Sequence, residues 1–202
     1  LRRGFKDGKY LAVGYAVHQD ASGRALQRCL ALCHAIGCGN AFLTTMAKEV
    51  ICDLVGERGS LLGAIYGMWL AQYEVLRAHG HSAFEAFNET VEEATQSLYP
   101  LIAERGIDWM YAHCSTTAQR GALDWYRRFR DALKPVFEAL YDEVVSGQEA
   151  RRAMAANSDP HYRQKLQAEL EEIANSEMWT AGRLIRSLRP ASSSLEADVH
   201  RK

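Results

Sequence analysis

Apolar and polar positions divide the chain into a short strand-like start and a long helical remainder. Tyr10 to His18, reading YLAVGYAVH, is a compact apolar run and predicts a strand. The polar cluster Asp20-Ala21-Ser22-Gly23 predicts a turn. Ala25 to Ile36 carries helical periodicity and is stopped by Gly37 and Gly39. One strand, turn and helix cannot build a sheet, so this start is expected to be the last piece of an upstream α/β domain. From about Ala41 onward the pattern predicts helices throughout. Thr44 or Thr45 caps a helix that includes Lys48 to Leu54. The pattern runs on through Gly56-Glu57-Arg58-Gly59 towards Arg77 and ends at His79-Gly80. Ser82 with Glu85 three residues on is a capping box, and its helix extends to about Leu98, before Pro100. Further helices are predicted over 116–130, 133–145 and 162–188. The tail Ala191 to Lys202 lacks a periodic apolar face and is expected to be disordered.

Gly59, Gly63 and Gly67 recur every four residues within the predicted helix. On a continuous helix they would bare one face for close backbone approach. Phe84, Phe87, Val91, Ala94 and Leu98 form the expected apolar stripe of the next helix, with Glu85, Glu89, Glu93 and Gln96 pointing away from it.

Composition narrows the classes. Of 202 residues, 48% are hydrophobic and 24% charged, enough to bury a core. A net charge of −1 argues against a nucleic-acid or anionic-membrane partner, which would call for a clustered basic excess. The longest apolar stretch, Leu61 to Tyr73, is interrupted by Gly63, Gly67 and Gln72, and falls short of the roughly 18 consecutive apolar residues of a membrane helix. Cys29, Cys33, Cys38, Cys52 and Cys114 make an odd set with no secretory signal before them, which predicts free thiols in a reducing compartment. Cys29 and Cys33 lack the closing ligand pair of a zinc site and read as small core residues.

Two carboxylate pairs carry candidate chemistry. Asp53 and Glu57 are four apart on one predicted helix, and Glu89 and Glu93 four apart on another, so each pair shares a face. Oxygen ligands in this number suit Mg²⁺, while a solvated acidic face has the same pattern. His113-Cys114-Ser115-Thr116-Thr117 reads as a helix N-terminus, able to meet an anionic group or simply to cap. Gly37-x-Gly39-x-x-Phe42 follows a helix and lacks the third glycine, so it is no dinucleotide fingerprint. His18-Gln19-Asp20 is polar at a strand end, a place where ligands gather in α/β sheets.

Taken together, these segments resemble the ketol-acid reductoisomerases. Glu49-x-x-x-Asp53-Leu54-x-Gly56-Glu57-Arg58-Gly59-x-Leu61-x-Gly63 is similar to that family's first metal motif. Gly80-His81-Ser82-x-x-Glu85-Ala86-Phe87-Asn88-Glu89-Thr90-Val91-Glu92-Glu93-Ala94-Thr95-Gln96-Ser97-Leu98 is similar to the second. Cys114-Ser115-Thr116-Thr117-Ala118-x-Arg120-Gly121-Ala122-Leu123-Asp124-Trp125 resembles the substrate-binding segment. Ala16-Val17-His18-Gln19-Asp20, Met178-Trp179 and Leu188-Arg189-Pro190 also fit, so the likeness runs from the first residue to about Pro190.

The resemblance implies a mainly α fold. An all-helical, intertwined and knot-related C-terminal domain over 39–190 would follow a remnant of a Rossmann-type nucleotide-binding domain over 1–38, with a tail over 191–202. It implies two Mg²⁺ ions held by Asp53, Glu57, Glu89 and Glu93, with Asp53 bridging and Glu93 also close to substrate; Asp53 and Glu93 are the implied catalytic residues. Ser115 would bind substrate, and Cys114 and Glu49 would line the site. The implied reaction is alkyl migration in a 2-aceto-2-hydroxy acid, then reduction by NADPH to a 2,3-dihydroxy acid, in branched-chain amino-acid biosynthesis. With one copy of the helical motifs, Asp53 and Glu57 of one subunit would meet Glu89, Glu93 and Ser115 of another in an obligate homodimer or higher oligomer. The family's glycine fingerprint and active-site lysine precede the start at Leu1-Arg2-Arg3, so no cofactor-binding residue is expected here and the isolated chain is expected to be inactive. The alternative is a non-catalytic helical dimerisation or metal-binding module of the same descent. The di-iron bundle is excluded by the absence of Glu-x-x-His pairs. Localisation would be cytoplasmic in a bacterium, and mitochondrial or plastid in a eukaryote.

Overall fold

The computed structural model describes Lys6 and residues 12–189. The expectations for Leu1-Arg2-Arg3, Tyr10, Leu11, Pro190 and the tail Ala191–Lys202 lie outside the described residues. The protein is mainly α-helical. The chain divides into two compact units, Leu1–Gly63 with Val136–Ala150, and Ala64–Pro135 with Arg151–Lys202.

In the first unit, β1 (Ala12–Tyr15) leads into the predicted turn. The Asp20 carboxylate accepts hydrogen bonds from the N–H groups of Ser22 (3.0 Å), Arg24 (3.2 Å) and Ala25 (3.1 Å). These donors, Ala25 foremost, hold its carboxyl below the usual range. Asp20 thus satisfies the start of α1 (Ala25–Ala35), whose first turn has no acid of its own. Gly37, at φ +72°, ends α1 in a Schellman turn, with Gly37 N–H donating to His34 O (3.0 Å) and Cys38 N–H to Cys33 O (3.1 Å).

A second strand follows, β2 (Asn40–Leu43). It pairs in parallel with β1, in register from Ala12↔Asn40 to Tyr15↔Leu43. This corrects the expectation of an unpaired α/β step with helix from Ala41 onward. Ala41-Phe42-Leu43 is too short to show a period, and its extended form depends on a partner 28 positions earlier (Ala12↔Asn40).

Thr45 caps α2 (Met46–Gly56), its hydroxyl accepting from Lys48 N–H at 3.2 Å. The predicted continuous helix then breaks. Glu57–Leu61 is a π-helical turn with Gly59 at φ −85°, ψ −128°, and α3 (Gly63–Ala78) starts afresh. The three glycines therefore do not share one bare face. A Cβ on Gly59 would lie 2.9 Å from the Phe137 ring, one on Gly63 would lie 2.1 Å from Arg58 O, and Gly67 faces open space. The break destroys the four-residue register on which the common face depended.

The second unit holds the main core. Ser82 and Glu85 form the predicted capping box at α4 (Ala83–Phe87). The helix does not stay α-helical: Asn88–Glu92 and Ala94–Leu98 are π-helical, and α5 (Tyr99–Arg105) runs past Pro100, which sits in its first turn. Thr90 Oγ1 donates to Ala86 O (2.7 Å) and Thr95 Oγ1 to Val91 O (2.8 Å), engaging carbonyls along the widened coil. The buried face is consequently Ala86, Phe87, Thr90 and Val91, and Phe84 is left 48% exposed. α6 (Ile107–His113), without a sequence prediction, comes next. The helices expected over 116–130 and 133–145 are one 30-residue helix, α7 (Thr116–Val145), with Pro135 inside it. α8 (Gln148–Asn157) was also unpredicted. The last predicted helix is split at Ser176 into α9 (Tyr162–Asn175) and α10 (Glu177–Ser187), because the Ser176 hydroxyl caps the second piece.

Tyr73 of α3, Ala86, Phe87 and Val91, and Met178 and Ala181 of α10 make this core, with Trp69 and Trp179 packed around it. Phe87 meets Trp179 edge-on at 5.8 Å. At the rim, Glu177 accepts from Arg77 Nε (2.8 Å), Arg77 Nη2 (2.6 Å) and Tyr73 Oη (3.0 Å).

Two predictions follow from this packing. A Cβ on Gly182 would lie 2.5 Å from Phe87 ring atoms. Gly182→Ala should therefore destabilise the fold by about 1–3 kcal/mol, read from denaturant midpoints; an unchanged midpoint would refute the contact. Arg77 holds the Glu177 carboxyl below its usual range, and burial with the nearby carboxylate pushes Tyr73 up to about 12. The lowered group stabilises the fold above its unfolded value and loses that effect as pH falls through its folded value. The raised Tyr73 stabilises below its ordinary value near 10 and loses that effect as pH rises towards 12. Circular dichroism across pH should show Glu177→Gln flattening the acid limb of unfolding and Tyr73→Phe the alkaline limb.

Candidate metal and substrate site

Asp53 lies on α2 and Glu57 directly after it, both exposed. Glu57 keeps helical backbone angles, and its N–H donates to Asp53 O and Leu54 O. The four-residue spacing thus puts both carboxylates on one face, as the sequence indicated. Arg58 orients the second of them. Its Nε donates to Glu149 Oε1 (2.8 Å), and its Nη1 to Glu57 Oε2 (2.7 Å). Glu149 is the more buried acid, with 13% of its side chain exposed against 47% for Glu57. Glu149 anchors the guanidinium, and Glu57 keeps an oxygen free on the solvent side. Glu49 lies one turn before Asp53, and its Oε2 would be 3.2 Å from a Cβ on Gly14, so glycine there leaves it room against β1.

In the second unit, Glu89 and Glu93 are also exposed, on the π-helical stretch. Asn88 ties them together: its Nδ2 donates to Glu93 Oε1 (2.8 Å) and to Glu89 Oε1 (3.3 Å). Asn88 and Glu93 are five apart, a pair that meets in a π turn and is not a neighbour on a regular α-helix. Glu92, between the two, is engaged elsewhere, accepting from Arg189 Nε at 2.9 Å. Asn88 and Arg58 are the residues that sequence reasoning passed over. Asn88 shows no signal unless the π register is known, and Arg58 depends on a carboxylate 91 positions away (Glu149).

Ser115 precedes α7 and accepts from Ala118 N–H at 3.3 Å. Capping uses its lone pair, so its O–H remains a donor, placed 3.1 Å from Thr117 Oγ1. Cys114 is half-buried beside it in extended conformation. His113 stacks on Trp109 at 3.9 Å and its Nδ1 meets Trp109 O at 2.8 Å, so it does not serve Ser115 as a base. Gln19 and Asp20 line an open hollow with Ser22, Arg28 and Cys29, but the Asp20 oxygens are used in capping.

Among the described residues, no group of three or more His, Cys, Asp or Glu side chains is disposed to hold a metal ion. The structure does present one carboxylate pair in each compact unit. A water-retaining Mg²⁺ site takes one or two carboxylates from protein, the number each pair offers. Among the described residues no helix is long and apolar enough to cross a membrane.

The chain as a whole is similar to known proteins. The family described as "Ketol-acid reductoisomerase, C-terminal domain" matches residues 46–191. A ketol-acid reductoisomerase (NAD(+)) of Desulfosudis oleivorans is 60% identical over 94% of this chain and 54% of its own length. The mitochondrial ketol-acid reductoisomerase of Neurospora crassa is 57% identical over 94% of this chain and 47% of its own. Among solved structures, an NADH-preferring ketol-acid reductoisomerase from an uncultured archean superposes with a TM-score of 0.83 at 25% identity, covering 93% of this chain and 57% of that one. The chain belongs to the ketol-acid reductoisomerase family. It spans about half the length of the curated relatives it matches.

The turn after Asp53 and Glu57 depends on Gly63, where a Cβ would collide with a backbone oxygen at 2.1 Å. Gly63→Ala should destabilise the protein by about 2–3 kcal/mol and displace Glu57, whereas Gly67→Ala, facing open space, should be neutral or slightly stabilising. Thermal unfolding of the two variants side by side checks this; equal midpoints would refute it.

Proposed function

We propose that this chain is the metal- and substrate-binding part of a ketol-acid reductoisomerase. The reaction is Mg²⁺-dependent alkyl migration in a 2-aceto-2-hydroxy acid such as acetolactate, followed by reduction to a 2,3-dihydroxy acid by a nicotinamide dinucleotide. The observation that carries this reading is the pair of exposed carboxylate couples, with Asn88 holding Glu89 and Glu93 together. Oxygen-only donors of this kind favour a hard divalent cation over a thiophilic one. Asp53, Glu57, Glu89 and Glu93 would hold two Mg²⁺ ions. When bound, these ions supply Lewis-acid polarisation of substrate oxygens. Arg58 and Asn88 hold the ligand carboxylates in place before metal arrives. Ser115 donates its O–H to a substrate oxygen, Glu93 also lies close to substrate, and Glu49 and Cys114 line the site.

We further propose that a second copy completes the site, with Asp53 and Glu57 of one chain facing Glu89, Glu93 and Ser115 of the other. The reductant binds residues other than those named here. Relatives bear NAD(+) and NADP(+) in their names, and NADPH is the dinucleotide we assign to this protein. Its compartment follows its source: cytoplasm in a bacterium, mitochondrion or plastid in a eukaryote.

The test is made on the native protein with acetolactate, Mg²⁺ and NADPH or NADH. Dinucleotide oxidation that requires Mg²⁺ and disappears in Asp53→Asn and Glu93→Gln supports the assignment. Mg²⁺ binding without turnover in the native protein would replace it with a non-catalytic metal-holding module. Asn88→Ala should weaken Mg²⁺ affinity about 10–100-fold, as loss of an outer-shell partner does, with unfolding little changed; calorimetric titration reads the first and circular dichroism the second.

A further inference from the structure

Arg58 stands between two carboxylates, and the fold divides its donors unequally between them. Its Nε donates to Glu149 Oε1 at 2.8 Å, and its Nη2 lies 2.8 Å from the same oxygen. Its Nη1 donates to Glu57 Oε2 at 2.7 Å. The Nε–Nη2 edge is a fork with which a guanidinium can meet a carboxylate through two bonds. That edge is taken by Glu149, 91 positions away, and one nitrogen turns to Glu57, the neighbour in sequence. The local structure brings Glu149 there. Gly147, at φ +72°, turns the chain after α7, and Glu149 follows in the first turn of α8, where the helix dipole favours an acid. Phe137 of α7 lies against the bare backbone of Gly59, next to Arg58. Val136–Ala150 accordingly belongs to the same compact unit as Asp53, Glu57 and Arg58.

We propose that Glu149 is a positioning residue for cation binding: by claiming the Nε–Nη2 edge of Arg58, it keeps that guanidinium from closing on both oxygens of Glu57. The inference rests on the reading of Asp53 and Glu57 as metal ligands. An arginine and a carboxylate within reach pair best through two parallel bonds, which occupy both oxygens of the acid. An acid so covered must release the arginine before it can take a cation. Burial decides which acid holds the fork. The Glu149 side chain is 13% exposed and that of Glu57 47%. An ion pair is stronger where water is scarcer, and a carboxylate left unpaired there is costly. Glu149 therefore keeps the fork, and Glu57 is held through Oε2 with its other oxygen open to a cation.

Arg58 thus has two opposed capacities towards Mg²⁺. Through one nitrogen it steadies Glu57. Through its whole fork it would compete with the ion for the same oxygens. Glu149 selects the first. The two partners of this one ion pair should therefore differ when removed. Without Glu149, the guanidinium turns its fork and full charge to Glu57 and the ion is opposed. Without Arg58, Glu57 is less steadied, but both its oxygens are open. A role in folding alone predicts no such difference, because either change breaks the same ion pair.

The experiment titrates Mg²⁺ calorimetrically into the native protein and its variants, with circular dichroism confirming that each is folded. Glu149→Leu should bind Mg²⁺ about 10–100-fold more weakly, the range for loss of an outer-shell partner, and Arg58→Met should stay closer to the native affinity. Equal losses in the two variants, a larger loss in Arg58→Met, or native affinity in Glu149→Leu would overturn the inference. Should Glu149→Leu fail to fold, Glu149→Gln, which keeps the shape and loses the charge, takes its place with the same order expected. Native Mg²⁺ binding that Asp53→Asn leaves untouched would instead remove the metal-site reading, and this inference with it.

Discussion

The second unit depends on the approach of Phe87 to the bare backbone of Gly182. Phe87 is 1% exposed, and no side chain larger than hydrogen fits opposite it. This contact joins the helical stretch that bears Glu89 and Glu93 to the C-terminal helix over Glu177–Ser187. Around it, the Trp179 ring, Met178, Ala181 and Tyr73 exclude water, and the Arg77–Glu177 and Arg189–Glu92 pairs fix the ends. Those rim pairs are partly exposed, so packing and not charge carries most of the stabilisation. One face of the acidic helix is thereby spent on the core, and its carboxylates are left on the other.

The candidate ligand acids are positioned by neighbours outside the candidate set. Arg58 and Asn88 act alike: each is a donor that engages a candidate ligand acid, Glu57 in one case and Glu89 with Glu93 in the other. A carboxylate so held loses less side-chain freedom when a cation binds. Other acids answer partners of a different kind. Glu92 accepts from the Arg189 guanidinium, Glu85 from the Ser82 backbone, and the more buried Glu149 from Arg58. Within 85–93 this separates Glu85 and Glu92, tied to the fold, from Glu89 and Glu93, held among the described residues only by Asn88.

Much of this was legible in the sequence, because it depends on local chemistry. The Ser82–Glu85 capping box, the Thr45 cap, the Asp20 turn and the helix stop at Gly37 all rest on residues within five positions of one another. The family and its mainly α fold were legible through motif resemblance. Features set by distant partners were not. β2 needed β1, and the bare backbone of Gly59 is packed by Phe137, far along the chain. The splitting of the last helix at Ser176 was local yet overlooked, since a serine inside a helical period does not announce itself as a cap. The two helices expected over 116–130 and 133–145 are likewise one helix of 30 residues, which carries Pro135 within it.

The π-helical run from Asn88 to Leu98 ties the acidic pair to the number of residues as well as to their identity. Widened turns accommodate more chain per turn than a regular helix. Removing a single residue there would let the coil tighten to a regular helix, the widened turn having held the extra residue, and the side chains that follow would keep their phase. Asn88 and Glu93 would then stand four apart, still neighbours on a regular helix. A one-residue deletion in this stretch is thus a change of coil width, whereas on a regular helix it would be a change of phase.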